Sequence, residues 1–353
     1  MFEDLVQHGS YWLDNLGPNS DIVISSRIRL ARNVEGLPFP QLMKDSDYVK
    51  LAESVKRAIS KTTMLKDAKI INLNDVSELD RLILMERHTI SFDQVVNNRK
   101  KGVVFNKDEQ VSIMINEEDH LRMQIIQPGM RLLSCWNLID KLDSEMEEDI
   151  IYTFSVDIGY LTACPTNVGT GLRSSTMVHL PGLTLSKDIG KVLHKISQLG
   201  LVVRGLYGEG IEIKTSFFQI SNQVSLGYTE KEIISSIEKI TKQVVEYEKK
   251  ARESLFKNSR AKIEDSIWRS YGILKNVRSI NFEEIVRLLS SLRLGVESNI
   301  VNINIKTINE LLIITQPGHI QKLFGKNMSE EERDEKRAEL VRNKLKEGEK
   351  DVS

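Results

Sequence analysis

Little in this sequence points to a membrane, an oxidising compartment or a bulk electrostatic partner. No apolar run approaches the roughly 20 residues that a helix needs to cross a bilayer. The N-terminus, MFEDLVQHGSYW, lacks the basic start and apolar core of a signal peptide. Only 2 cysteines occur in 353 residues, Cys135 and Cys164, which excludes a disulfide framework and a cysteine-based metal site. Cys135 sits between apolar residues and Trp136, a setting for buried packing. The formal net charge is −1, so no global field favours nucleic acid or a membrane surface. Any recognition of an anion has to come from local clusters of Arg or Lys. Short internal repeats and low-complexity linkers are missing too. The expectation is a cytoplasmic protein.

What is present is a globular balance, 40% hydrophobic and 28% charged, in a chain long enough for one large domain or two ordinary ones. The first two thirds mix strand-like and helical patterns; the last third reads as helix. Thr229 to Glu232 is a capping box, followed by Ile233, Ile234, Ile237, Ile240 and Val244 at helical spacing. Asn281 to Glu284, Thr307 to Glu310 and Ser329 to Glu332 repeat the signal, and Gly295 marks an expected helix stop. The segment Leu255 to Lys262 is the expected boundary. This divides the chain into an α+β catalytic domain, 1–255, and a helical domain for dimerisation or regulation, 256–353.

Four segments place arginines beside glycines or spaced carboxylates. In DIVISSRIRL, alternation puts Ile22, Ile24, Ile28 and Leu30 on one strand face and Ser25, Arg27 and Arg29 on the other. Two neighbouring guanidinium groups are tolerable on a solvated edge strand or around an anion, and arginine's planar fork suits polyphosphate. In VSIMINEEDHLRMQ, continued extended geometry would put Glu118, His120 and Arg122 on one face, which fits a salt bridge or a site. ACPTNVGTGLRSSTMVHL joins Gly169 and Gly171 to Arg173, either a plain glycine turn or a loop that offers backbone N–H groups to an anion. It is not a Walker loop, because no GK[ST] follows the glycines. The HRD and DFG signatures of ordinary protein kinases are missing as well. VRGLYGEGIE adds Arg204, three glycines and two carboxylates.

SSRIRLARN, NEEDHLR, CPTNVGTGLRSS and the YGEG…FQISNQ stretch, in this order over about residues 20–250, resemble the phosphagen (ATP:guanido) kinases, which include creatine and arginine kinases. The resemblance implies an antiparallel sheet flanked by helices, with a helical C-terminal domain. It implies ATP as phosphoryl donor with Mg²⁺, and no protein metal cage. It assigns nucleotide binding to Ser25, Ser26, Arg27, Ile28, Arg29, His88, Arg122, Arg173, Ser174, Ser175, Thr176, Met177, Arg204, Gly205, Leu206, Tyr207, Gly208 and Glu209. Catalysis falls to Glu118 and Glu212, the carboxylate pair, and to Cys164; Glu118 is the expected base. The chain departs from the family at Ser174 and Thr176, where Ala and Val are usual, at His88-Thr-Ile-Ser91, and at Thr215-Ser216.

Within the family, two features resemble the protein-arginine kinase branch. The chain begins almost at the SSRIR strand, so the helical N-terminal domain that closes over small guanidino substrates is expected to be absent. Arg333-Asp-Glu-Lys-Arg337-Ala338 is similar to that branch's motif for binding phosphoarginine as an allosteric signal, through Arg333, Asp334, Arg337 and Ala338. Read without the resemblance, the same segment is a solvated, salt-bridged helix. The branch implies phosphorylation of arginines in proteins, protein quality control and a stress response. Implied partners are a zinc-binding activator (McsA), a repressor (CtsR) and the ClpC protease, with a homodimer or higher oligomer. The rival readings are a free-arginine kinase and a non-catalytic adaptor.

Overall fold

The computed structural model describes residues 2–14, 16–205, 215–325 and 327–350. Its strands are β1 (Val23–Arg32), β2 (Lys69–Asn72), β3 (Gly102–Phe105), β4 (Val111–Ile115), β5 (Leu121–Pro128), β6 (Phe154–Ser155), β7 (Gly159–Tyr160), β8 (Leu172–His179), β9 (Leu201–Gly205) and β10 (Phe217–Asn222). The helices are α1 (Phe2–Leu5), α2 (Asp45–Lys61), α3 (Glu78–Glu86), α4 (Phe92–Val96), α5 (Leu132–Glu147), α6 (Pro181–Leu185), α7 (Ile189–Gln198), α8 (Glu230–Asn276), α9 (Phe282–Glu297), α10 (Ile305–Ile314), α11 (Pro317–Leu323) and α12 (Glu330–Lys350).

Eight strands form one antiparallel sheet in the order β2-β3-β4-β5-β1-β8-β10-β9, with β1 and β5 near its middle. One face packs on α2, α5, α7 and the first half of α8 through Ile28, Leu30, Met123, Leu172, Ile139 and Ile237. Beyond the other face, Ile24, Ile126 and Phe217 join Leu289, Leu311 and Val341 of the C-terminal helices in a second core. A bulge between Val23 and Ser25 turns Ile24 into this second core. The expectation that Ile24 shares a face with Ile28 and Leu30 is therefore corrected.

The helical third follows its capping signals in part. Thr229 and Asn281 each accept the expected backbone N–H, and Ser329 exchanges hydrogen bonds with Glu332. Two expectations fail. Helix α10 is capped by Asn304, not Thr307, which lies inside the helix. Gly295 does not stop α9, which runs on to Glu297; a Cβ there would meet Ile267 Cγ2 at 2.4 Å, so glycine serves a close crossing of α8. The segment at 255–262 lies within α8, whose one non-helical residue is Ser259 (φ −146°, ψ 30°).

Buried polar groups tie the C-terminal helices to the sheet. Arg293 of α9 donates to the carbonyls of Ser20 (2.7 Å) and Asp21 (2.9 Å), ahead of β1. The Glu86 carboxylate, at the end of α3, accepts from the backbone N–H groups of Gly318 (2.7 Å) and His319 (3.0 Å). Cys135 is fully buried, as expected from its neighbours. No helix among the described residues is long and apolar enough to cross a membrane.

Candidate active site

Period-two alternation and antiparallel register build the site. Arg29 faces Gln124 of β5 and Arg173 of β8; Arg27 faces Ile126 and Ser175; Ser25 faces Met177. Paired residues share a face, so Arg27, Arg29, Arg122 and Arg173 lie on one side of adjacent strands. Arg204 on edge strand β9 continues the row opposite Gln219. The cations crowd: burial, then Arg122 and Arg173, pushes the Arg27 pKa down to about 10. Burial and the same neighbours hold Arg29 well below its ordinary value. Nε of Arg29 and Nε of Arg173 are buried without a hydrogen-bond partner among the described residues. Buried guanidinium donors without acceptors are costly unless an anion completes them, and a polyphosphate fits that need.

The same alternation turns the side chains of part of the expected nucleotide set away from the arginine row. Ser26, Ile28, Ser174 and Thr176 point to the opposite face and are fully buried. Ser26 Oγ donates to the Gly129 carbonyl at 2.8 Å, and Thr176 Oγ1 lies 3.0 Å from Thr241 Oγ1. The departures at Ser174 and Thr176 thus alter the core behind the site. Leu206, Tyr207, Gly208, Glu209 and Glu212 lie outside the described residues, and Gly205 ends β9.

His88 closes one edge of the arginine row. It adopts φ 63°, stands edge-on to Trp12 at 5.0 Å, and its carbonyl accepts from Gln124 at 2.8 Å. Burial, then Arg27 and Arg29, depresses its pKa to about 3, so it is neutral near pH 7. With Ser25, Arg27, Ile126, Met177 and Gln219 it lines a narrow cleft.

The carboxylate edge differs from the sequence expectation. Strand β4 ends at Ile115 and Asn116 turns at φ 57°, so Glu118, His120 and Arg122 do not share an extended face. Arg122 is held by Glu117 Oε1 at 2.9 Å and Oε2 at 3.0 Å. Burial raises the Glu117 pKa, but Arg122, the Glu118 N–H and the Ser91 hydroxyl outweigh it and leave a net lowering. His120 points away: Nδ1 accepts from Val34 N–H at 2.9 Å and Nε2 donates to the Pro38 carbonyl at 2.9 Å. Glu118 stays exposed at the turn and touches the Cys164 thiol. Partial desolvation of its carboxyl, then Asp119 and Glu117, raises its pKa against Arg122 and the thiol.

Two residues that sequence reasoning missed position this edge. Glu117 orients Arg122. Asp119, 2% exposed, accepts from Asn33 Nδ2 and from Ala163 N–H, both at 2.7 Å, and so fixes Cys164 beside the Glu118 turn. Their adjacency to Glu118 was the available signal. The Cys164 loop is braced further along by Arg32, which donates to Asp143 at 2.6 Å and to the Thr170 carbonyl at 3.0 Å. Gly171 (φ 67°) passes so close that a Cβ would meet the Ala31 carbonyl at 2.6 Å.

Guanidinium groups that converge on one face, a raised carboxyl against a thiol, and a neutral imidazole make a site suited to a polyphosphate beside a proton acceptor. Residues 50–251 match the family model of the ATP:guanido phosphotransferase C-terminal catalytic domain. Residues 260–353 match the protein-arginine kinase McsB C-terminal domain. The chain belongs to the ATP:guanido phosphotransferase family, in its protein-arginine kinase branch. The protein-arginine kinase of Pelotomaculum thermopropionicum is 46% identical over 337 residues, which cover 94% of this chain and 95% of that protein. The one from Symbiobacterium thermophilum is 46% identical over 340 residues, 95% of this chain and 96% of that protein. Among solved structures, the duplicated taurocyamine kinase from Schistosoma mansoni with bound transition-state-analogue components aligns with a TM-score of 0.59 at 29% identity. That alignment covers 70% of this chain and 36% of the duplicated one. Lombricine kinase shares the fold, with a TM-score of 0.58 at 22% identity over 70% of each chain. The protein is thus an enzyme, a protein-arginine kinase that uses ATP, with the phosphagen-kinase fold of an antiparallel sheet and helices.

The second expected motif lies on α12 of this kinase. Arg337 is 2% exposed, and its Nε donates to the Thr315 carbonyl at 2.8 Å and Nη1 to the Ile280 carbonyl at 2.9 Å. It also pairs with Asp334. Ala338 is buried, while Arg333 is half-buried and donates to the Met328 carbonyl at 3.1 Å. The reading as a solvated helix is corrected at Arg337, which α10 and the start of α9 enclose.

Proposed function

We propose that Arg27, Arg29, Arg122, Arg173 and Arg204 hold the ATP phosphates, and that Ser25, His88, Ser175 and Met177 line the nucleoside side. The observation that carries this reading is the convergence of the arginines, two with unpartnered buried Nε atoms, next to the Glu118–Cys164 contact. Among the described residues no group of three or more His, Cys, Asp or Glu side chains could hold a metal. In this reading Mg²⁺ would enter with the nucleotide and would supply charge neutralisation of the phosphates.

A protein arginine is a poor nucleophile while protonated, and it stays protonated far above neutral pH. Glu118 receives one guanidinium proton as that nitrogen forms its bond to the γ-phosphorus and the bond to the β-phosphate oxygen breaks. The raised pKa of Glu118 suits a group that must accept a proton. Cys164 pairs with the guanidinium and orients it, and Glu117 keeps Arg122 on the transferring phosphoryl.

The helical region, 256–353, is the regulatory part in this reading. Phosphoarginine carries both charges of the internal Arg337–Asp334 pair, so it can exchange with that pair: its phosphoryl meets Arg333 and Arg337, its guanidinium meets Asp334. In the cell the modification marks proteins for Clp-type proteolysis and inactivates a stress-response repressor, CtsR, with McsA as activator and ClpC as downstream partner, in a cytoplasmic homodimer or higher oligomer.

The test is incubation with ATP and a model protein, with mass spectrometry at neutral pH because the P–N bond is acid-labile, and free arginine alongside. Phosphoarginine on the protein is expected. Glu118→Ala should lower turnover on the order of a hundredfold or more with ATP affinity retained; an equal loss of ATP affinity would move Glu118 to the nucleotide side.

A further inference from the structure

A cavity of about 630 Å³ opens beside Glu118. Gln41, Met43, Asn97, Arg99 and Asn116 line it with Glu118 itself. Its size falls in the range of pockets that bind organic ligands, enough for a few residues of an extended chain.

The acceptor of this kinase is an arginine within a polypeptide, so the chain on either side of it has to rest next to Glu118. The cavity wall is polar, and its charges are unequally matched. Lys100 pairs with Asp45, and Lys101 with Asp93. Glu117 is taken by Arg122. Arg99 is exposed and has no ion-pair partner among the described residues. Arg99 lies near enough to Asp45 to act on its carboxylate, which Lys100 already pairs, so the wall is left with the Glu118 carboxylate on one part and the Arg99 guanidinium on another.

These two parts are held in register. Asn116 turns at φ 57° and its N–H donates to the His120 carbonyl at 2.8 Å, closing the turn that carries Glu118. Its Nδ2 donates at 2.9 Å to the carbonyl of Lys100, which adopts φ 58°. Gln41 Nε2 reaches the Glu118 carbonyl at 3.1 Å from the opposite wall. The loop that bears Arg99 is thereby fixed to the turn that bears the proposed base.

We propose that this cavity is the docking subsite for the residues that flank the target arginine in a protein substrate, and that Arg99 selects for an acidic side chain there. The inference rests on the placement of the target guanidinium at Glu118. The occupant is a peptide segment with an arginine at one end and a carboxylate a few residues away, the charge complement of the cavity.

The experiment uses the full-length kinase and three peptides with one arginine each, flanked by glutamate, alanine or lysine. The readout is the ratio of kcat/KM between peptides at saturating ATP and low salt. A general loss of folding or of ATP binding divides out of that ratio. The parent should favour the glutamate over the lysine peptide by about two- to fivefold, the span of an exposed charge pair. Arg99→Glu should invert the order, and Asn97→Trp, a bulky group at the exposed wall, should raise KM for all three peptides several-fold. A parent without preference, or an Arg99→Glu variant that keeps the parental ratio, overturns the subsite. Glu118→Gln separates the two layers. If it retains parental turnover on the alanine peptide, the placement of the guanidinium fails and the subsite falls with it. If turnover collapses while the ratios ignore Arg99, only the subsite fails.

Discussion

Replacing Arg27 with methionine should make the nucleotide-free kinase more stable and abolish its response to ATP. The Arg27 pKa is depressed by roughly two to three pH units, to about 10, first by burial and then by Arg122 and Arg173. At ~1.4 kcal/mol per pH unit, that is about 3 kcal/mol of unfavourable charge at neutral pH. Methionine keeps much of the volume and none of the charge. The substitution also removes the bond from Arg27 Nη2 to Gln219 Oε1 at 3.1 Å, worth about 1 kcal/mol. Gln219 is partly exposed and can turn to water. The net gain is therefore ~1–2 kcal/mol, a rise in Tm of roughly 2–5 °C. Thermal unfolding with and without ATP is the assay. The parent should gain about 2.7 kcal/mol at ATP concentrations a hundredfold above Kd, and the variant almost none. A variant less stable than the parent without nucleotide, or one whose Tm climbs with ATP as the parent's does, would refute the view that a shared phosphate load relieves these arginines.

Other perturbations read other parts of the molecule. His88 has a pKa near 3 in the fold against about 6.5 in an unfolded chain; its contribution is complete above pH 6.5 and is lost as pH falls toward 3. His88→Gln should flatten the acid limb of Tm against pH over that window, and an unchanged slope contradicts a buried neutral imidazole. Asp143→Ala leaves Arg32, 2% exposed, without its carboxylate and should cost about 3–5 kcal/mol, read from the urea midpoint; the double change Asp143→Leu with Arg32→Met should recover much of that. Arg333→Gln with Asp334→Asn should remove stimulation by added phosphoarginine in a turnover assay, and a parental response would leave α12 a purely structural helix.

The sequence determined the strand that bears Arg27 and Arg29, the glycine turn before Arg173 and three of the helix caps, because period-two alternation, left-handed backbone and side-chain capping are local properties. The family could be read from four short motifs for the same reason: the chemistry of each is carried within a few residues. The fold decided everything that depends on which strands are neighbours. Only the register of β5, β1 and β8 sets Arg122, Arg29 and Arg173 side by side, and only the turn at Asn116 hands Arg122 to Glu117 and frees Glu118 for Cys164. The bulge that sends Ile24 into the second core, and the crossing that requires Gly295, come from contacts with helices more than two hundred residues away or on another element. Arg337 makes the point most plainly. As a residue of a charged helix it reads as solvent-facing, yet the carbonyls of Thr315 and Ile280 that bind it are the ends of other elements. Side-chain chemistry is written residue by residue, but burial and partnership belong to the packed chain, where a distant carbonyl outweighs the local pattern.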